Sequence, residues 1–463
     1  MSNRREFLQT TGLAMGAMSL GVHATGNAQE SGSLPNLVIM LCDDLGYGDL
    51  SCYGHSIIQT PYLDQMAQEG MRFTDCYAAS PVCSPARAGM ITGRTPYRCH
   101  VTDWIPPNSP MHLQQNEISI ARLLKDRGYA TAHFGKWHLS GKLDGSQPTP
   151  GYHGFDHWFS TLNNAHPSHL NPTNFVRNGE PVDEPIEGHA SRIIVDEALD
   201  FIEKTQMQSP GRPFAVFVWF HAPHEPVGTS PQFTDLYANI EEETKRLYFG
   251  NVTETDAAVG HFNEQLDRKG LSENTLVWFT SDNGPETLNR YRGAHRSHGT
   301  PGPLRGMKLH MYEGGIRVPG IARWPGQIPA GQENSLPVSG VDVLPTLCGL
   351  AGLPIPDDRP IDGADVAALL RNNASSRGKP LYWRYDKAIS NPKIALRDGD
   401  WKLLANAELS QFELYNLRED LAESRDVSQA NPNQLRALKE QLYAIHADVE
   451  NDPVSDWTPW RIR

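Results

Sequence analysis

Three things are scarce in this 463-residue sequence, and each scarcity removes a class of function. Positive charge is outnumbered, with 41 lysines and arginines against 54 acidic residues and a formal net charge of −13. A general nucleic-acid binder carries a basic footprint that this balance does not supply, so no nucleic-acid partner is expected. An anionic substrate would have to meet cations concentrated in one pocket. Long apolar runs are also missing: no stretch of the mature chain approaches the ~20 apolar residues that cross a bilayer, so no membrane span is expected. Cysteine is sparse and irregular. Cys42, Cys52, Cys76, Cys83, Cys99 and Cys348 lack the spacing of a zinc site, and their disulfide pairing cannot be read from position alone. At 39% hydrophobic and 21% charged, the composition is still that of a globular protein. The length suits a large α/β domain with a smaller partner.

What is present begins with an export signal. The first residues place Arg4 and Arg5 ahead of Phe7 and Leu8, followed by a weakly apolar run and a small-residue site at Gly26, Asn27 and Ala28. That layout is a twin-arginine signal peptide. Residues 1–28 are expected to direct the chain to the twin-arginine (Tat) export machinery, leaving a periplasmic or secreted protein that starts near Gln29.

Past the signal, continuous apolar runs end in polar residues. "NLVIMLC" (36–42) leads into Asp43-Asp44, and "TLVWFTS" leads into Asp282-Asn283. Such runs suit strands buried on both faces. "RPFAVFVWFHAPHEP" (212–226) and "ATAHFGKWHL" (130–139) are two more. Amphipathic helical patterns lie between them at 118–128, 190–204 and 251–270. Strands alternating with helices predict an α/β domain over 33–376, a mostly parallel sheet sandwiched by helices. From 377 to 463 the pattern changes to short strands with hairpin turns, Asp398-Gly399 among them, and then a helix. This predicts a smaller C-terminal α+β domain with an antiparallel sheet. The seam falls in "RNNASSRGK", 371–379.

Ligands in open α/β sheets bind beyond the carboxyl ends of the strands, where Asp43, Asp44, Asp282 and Asn283 fall. One Asp-Asp pair by itself is an ordinary solvated turn. Two acidic strand ends in one sheet repel each other unless a cation joins them, and an oxygen-only set suits Ca²⁺ or Mg²⁺ rather than zinc. Cations sit on other loops of the same kind. Arg87 follows Cys83 by four residues, so a helix start turns both to one side. Lys136 and His138 alternate after a strand and share a face. His221 and His224 follow another strand, and Lys308 lies in a glycine-rich loop.

"CSPAR" (83–87), "CDDLGYGDLSCYG" (42–54), "TGR" (92–94), "GKWHL" (135–139), "APHEP" (222–226), "SDNG" (281–284) and "LRGMKLHMYEGGIRVP" (304–319) together resemble the formylglycine-dependent (type I) sulfatases, members of the alkaline-phosphatase-like superfamily. The resemblance runs from about residue 35 to the chain end in the same motif order. It implies that Cys83 is oxidised by a formylglycine-generating or sulfatase-maturating enzyme to 3-oxoalanine (formylglycine). The hydrated aldehyde then attacks the sulfur of a sulfate ester with one hydroxyl and expels sulfate with the other. It further implies one Ca²⁺ held by Asp43, Asp44, Asp282 and Asn283, with Arg87 holding the hydrate. Lys136 and Lys308 would neutralise sulfate oxygens, and His138 would orient or deprotonate the diol. His224 would act as general acid with help from Lys308; His221 matches the motif less well. Ala86, where a serine is common, and "RCHV" (98–101) depart from the family pattern without touching these groups.

The substrate implied is a sulfated carbohydrate. Loops 163–175 and 289–302, rich in His, Arg and Asn, are placed to grip sugar hydroxyls or a second anionic group. Two other readings stand beside this one. A phosphodiesterase or phosphonate monoester hydrolase of the same superfamily would use the same groups. A pseudoenzyme that binds sulfated glycans would keep Cys83 as a thiol.

Overall fold

The structure is a computed structural model, and it describes residues 33–452. The signal segment 1–28 lies outside the described residues, as does the chain beyond 452. The described residues from Leu34 onward belong to one compact unit.

An eleven-stranded sheet comprises β1 (Asn36–Asp43), β2 (Met71–Tyr77), β3 (Ala130–Lys136), β4 (His157–Thr161), β5 (Val176–Arg177), β6 (Glu180–Pro181), β7 (Phe214–Pro223), β8 (Thr275–Ser281), β9 (Arg317–Arg323), β10 (Gln332–Asn334) and β11 (Val338–Ser339). Its centre runs β8-β1-β7-β3-β4, all parallel, while β9 enters antiparallel between β8 and β2. The sheet is therefore mostly parallel, as expected.

Side chains alternate across a strand, and here each face feeds a separate core. Leu37, Ile39 and Leu41 of β1 join Phe217, Trp219, Leu276 and Trp278 on one side. Val38 and Met40 join Val216, Val218, Val277 and Phe279 on the other. Every residue of β1, β7 and β8 is buried, which is why the runs lack polar alternation. Helices Ala190–Gln208 and Glu243–Arg268 bury Ile194, Val195, Val259 and Phe262 in the second core.

The second of these helices begins at Glu243, eight residues before the 251–270 pattern. Gly250 lies inside it, where a Cβ would meet Thr229 Cγ2 at 2.8 Å and the Phe233 backbone at 3.1 Å. The glycine answers a close approach, not a helix end.

A separate antiparallel sheet follows: β12 (Leu381–Arg384), β13 (Ile394–Asp398), β14 (Trp401–Ala405) and β15 (Phe412–Asn416). One face, with Ile394, Leu396, Leu403 and Leu414, packs on Leu438 and Leu442 of helix Pro432–Glu450. The other face, with Leu381, Trp383 and Tyr415, packs on Tyr77, Val82, Cys83 and Met311 of the larger body. A buried ion cluster fastens this face: Lys402 Nζ lies 2.9 Å from Glu313 Oε1 and 2.8 Å from Glu423 Oε1, and Arg397 Nη2 lies 2.6 Å from Asp75 Oδ1. Among the described residues, no helix is long and apolar enough to cross a membrane.

Candidate active site

β1 and β8 are neighbours in register, Cys42 opposite Ser281, so the polar residues that follow each strand emerge together. Asp43, Asp44, Asp282 and Asn283 are all buried. Asp44 turns away from the strand with φ 64°. Its N–H donates to Asp282 Oδ1 at 3.2 Å, and Asn283 Nδ2 donates to Asp44 Oδ1 at 2.7 Å.

Cys83 opens the helix Cys83–Thr92 after an extended Val82. One turn further on, Arg87 donates from Nε and Nη2 to Asp282 Oδ2 at 2.9 and 2.7 Å, and from Nη1 to the Lys136 carbonyl at 2.9 Å. Its guanidinium lies 5.2 Å from the Trp219 ring centroid. Lys136 is the last residue of β3 rather than a loop residue, and its Nζ donates to Asp43 Oδ2 at 2.5 Å. Lys308 Nζ spans both oxygens of Asp44 at 2.6 and 2.8 Å.

The histidines divide. His138 continues beside β4, its N–H donating to the Leu162 carbonyl, with φ 53°. Its Nε2 meets the Ile105 carbonyl at 3.1 Å, and its buried Nδ1 has no partner among the described residues. His224 Nδ1 meets the Glu225 carbonyl at 2.6 Å, leaving Nε2 directed at Asp44 Oδ2, 3.6 Å away. His221 points elsewhere, bonding Thr161 Oγ1 at 2.7 Å. One ligating atom from each of Asp43, Asp44, Cys83 and His224 lies within 4.8 Å of the others.

Burial sets the protonation pattern. It pushes Asp44 and Asp282 up to about 6, in both with the help of the Asp43 charge. Burial acts on Asp43 too, but Lys136, His224, Arg87 and Lys308 outweigh it and hold that carboxyl well below its usual range. Three cations, Arg87, Lys136 and Lys308, thus face three carboxyls, and their combined field falls most strongly on Asp43. Burial raises the Cys83 thiol to about 12, so at neutral pH it is no thiolate. Burial also lowers His138 far below its usual value and His224 to about 4.

A cavity of about 560 Å³ opens onto Cys83, His138, His224 and Lys308. From the two polar loops singled out above, Asn163, Asn164, Arg290 and Tyr291 reach it. Arg296 instead binds Glu225 at 3.1 Å, His298 bonds Thr244 Oγ1 at 2.9 Å, and His169 bonds Asn251 at 2.9 Å. Asp103, Trp104, Glu286, Tyr385 and Lys387 complete the wall without having been anticipated. Glu286, three residues past Asn283, had a legible position. Tyr385 and Lys387 come from the connection between β12 and β13, and nothing in their local sequence ties them to Cys83.

Residues 35–353 match the family model described as Sulfatase, and residues 307–448 match one described as N-sulphoglucosamine sulphohydrolase, C-terminal. The chain belongs to the sulfatase family. Human arylsulfatase A is 35% identical over 466 residues, covering 90% of this sulfatase and 88% of that protein. The N-acetylgalactosamine-6-sulfatase of Canis lupus familiaris is 36% identical over 404 residues, with coverages of 82% and 73%. The crystal structure of Ps i-CgsB in complex with k-i-k-neocarrahexaose superposes with a TM-score of 0.79 at 28% identity, covering 91% of this chain and 94% of that one. The sulfatase is accordingly a sulfuric ester hydrolase.

Proposed function

We propose that this sulfatase hydrolyses the sulfate ester of a sulfated carbohydrate, using a formylglycine made from Cys83 and one Ca²⁺ held by Asp43, Asp44, Asp282 and Asn283. The observation that carries the reading is the convergence of Asp43, Asp44, Cys83 and His224 atoms within 4.8 Å.

The donor set fits the ion. Asp43 Oδ1 and Asn283 Oδ1 are buried oxygens without a hydrogen-bond partner among the described residues, and the buried carboxyl groups of Asp44 and Asp282 adjoin them. Oxygen donors throughout suit Ca²⁺. When bound, Ca²⁺ supplies Lewis acidity toward a sulfate oxygen. Formylglycine, when hydrated, supplies an oxygen nucleophile that the high thiol pKa of Cys83 denies to the unmodified residue.

The remaining work belongs to the chain's own side chains. Arg87, locked by Asp282 and the Lys136 carbonyl, presents fixed positive charge one helical turn behind position 83. The N-terminus of that helix adds its partial positive charge to the same spot. Lys136 and Lys308 balance charge on sulfate oxygens. His138, held neutral by burial, has a free Nδ1 to accept a proton. Lys308 Nζ and His224 Nε2 approach the same Asp44 Oδ2, at 2.8 and 3.6 Å. Lys308, whose pKa stays raised despite burial because Asp44 faces it, retains a proton to share with the leaving alcohol. The negative charge of a bound sulfate ester would raise the low proton affinity of His224 in the same direction.

A carbohydrate ester is favoured because a relative of similar fold is solved with neocarrahexaose, and another is named for N-acetylgalactosamine. Arg4 and Arg5 support twin-arginine export to the periplasm or beyond. Because that route carries folded chains, oxidation of the thiol by a maturation enzyme would precede export. The test is direct. A tryptic peptide spanning residue 83, from protein made with a maturation enzyme, should carry the aldehyde, and Cys83→Ala should abolish sulfate release while leaving thermal unfolding in place. Retained turnover in Cys83→Ala would overturn the assignment.

A further inference from the structure

The outer part of the active-site cavity is rich in charge yet balanced. Arg290 donates from Nε to Glu286 Oε1 and from Nη2 to Glu286 Oε2, both at 2.6 Å. Lys387 Nζ donates to Asp103 Oδ2 at 2.6 Å. The same Asp103 accepts from the Tyr385 hydroxyl at 2.9 Å through its other oxygen, so it bridges the 101–109 loop to the β12–β13 connection. Lys308, deeper, is taken by Asp44. Among the described residues lining the cavity, every lysine and arginine faces a carboxylate.

Between these pairs lie groups of another kind. Trp104 and Tyr291 line the cavity while 45% and 38% exposed, a high value for large aromatics. Asn163 and Asn164 line it with two side-chain amides, whose Oδ1 atoms are buried and without a hydrogen-bond partner among the described residues. Aromatic faces cover the C–H face of a sugar ring, and amides both donate to and accept from hydroxyls.

We infer that the outer cavity selects the sulfate ester of an otherwise uncharged sugar, with Asp103 and Glu286 as the residues that exclude a second anionic group. The inference rests on the sulfatase reading of the site and narrows its substrate class. A second sulfate or a carboxylate entering here would lose hydration and meet no net positive charge, and it would stand beside two carboxylates. A hydroxyl loses little and finds partners.

The experiment is a panel of methyl hexosides with one sulfate at a single ring position. Each is matched with the same sugar bearing a second sulfate and with its uronic acid counterpart, and the matured enzyme is assayed by sulfate release. The best singly sulfated hexoside should exceed its doubly anionic partners in kcat/KM by on the order of tenfold, mainly through KM. Asp103→Asn, which releases Lys387, should shrink that ratio several-fold. Lys387→Ala, which leaves Asp103 uncompensated, should widen it. Loss of folding alone does not move one ratio in opposite directions. A doubly anionic sugar hydrolysed as well as its partner, or ratios that shift the same way in both variants, would overturn the selection. Release from an aryl sulfate but from no sugar would overturn it while leaving the sulfatase reading intact. Release from neither, with formylglycine verified at position 83, would sink both.

Discussion

Arg87 grips Asp282 by two bonds to a single oxygen, Nε and Nη2 donating to Oδ2 at 2.9 and 2.7 Å. The pair is wholly buried, so its geometry is not interchangeable with that of another cation. Arg87→Lys keeps the charge but loses the fork and the bond to the Lys136 carbonyl. Sulfate release should fall by about a hundredfold or more, in line with loss of a preorganised donor. Arg87→Ala leaves two buried carboxylates short of charge and should destabilise the fold by about 3–5 kcal/mol. Steady-state kinetics and urea unfolding read these out separately. A wild-type rate in Arg87→Lys would show that the fork is dispensable.

Removing the divalent ion should affect stability as well as rate. With three buried carboxyls, and with Asp43 Oδ1 and Asn283 Oδ1 lacking a hydrogen-bond partner among the described residues, a calcium chelator should abolish sulfate release and lower Tm. Added Ca²⁺ should restore both, the Tm rising with its concentration as linkage requires. Asp282→Ala should lose that dependence. A Tm indifferent to Ca²⁺ in the parent chain would count against the ligand set.

Gly284 supplies a structural check on the same site. A Cβ there would sit 1.9 Å from the Gly314 carbonyl oxygen, while the Gly284 N–H donates to the Gly315 carbonyl at 3.0 Å. Gly284→Ala must displace Asp282 and Asn283 or the facing loop. It should weaken Ca²⁺ binding measured by calorimetry and destabilise the fold by about 1–3 kcal/mol. Unchanged Ca²⁺ affinity would mean that the loop yields instead.

The seat of the C-terminal sheet should respond to acid. Burial alone would raise Glu313, but Lys402, Arg317 and Arg397 outweigh it and hold it to about 2. A carboxyl with a depressed folded pKa contributes stability that is fully present above its unfolded value of about 4.3 and is lost as pH falls toward 2. Glu313→Gln should remove that part of the acid slope and lower stability at neutral pH, since Lys402 and Arg317 lose a partner. Urea unfolding at pH 7, 5 and 3 tests this; parallel pH profiles for variant and parent would refute it.

Much of the molecule could be read in advance because its signals are local. The apolar runs of β1, β7 and β8 announce strands covered on both faces, and polar residues at their ends mark where a ligand sits. Cys83 and Arg87, one helical turn apart, needed only the helix period to be placed together. The start of the helix at Glu243 lies outside the 251–270 pattern, and Gly250 within the helix is explained only by the nearness of Phe233. The inner position of Lys136 and the divergence of His221 from His224 depend on neighbours from other strands.

By itself, then, the sequence determined the layered α/β plan, the antiparallel C-terminal sheet, and the polar set gathered at the strand ends. Those follow from side-chain period and residue type within short windows. Only the tertiary structure decided which charges cancel. Asp103 meets Lys387 and Tyr385 across the mouth of the cavity, and Lys308 faces Asp44. Coulomb energy depends on distance in space, and for residues hundreds of positions apart that distance exists only after both sheets have packed.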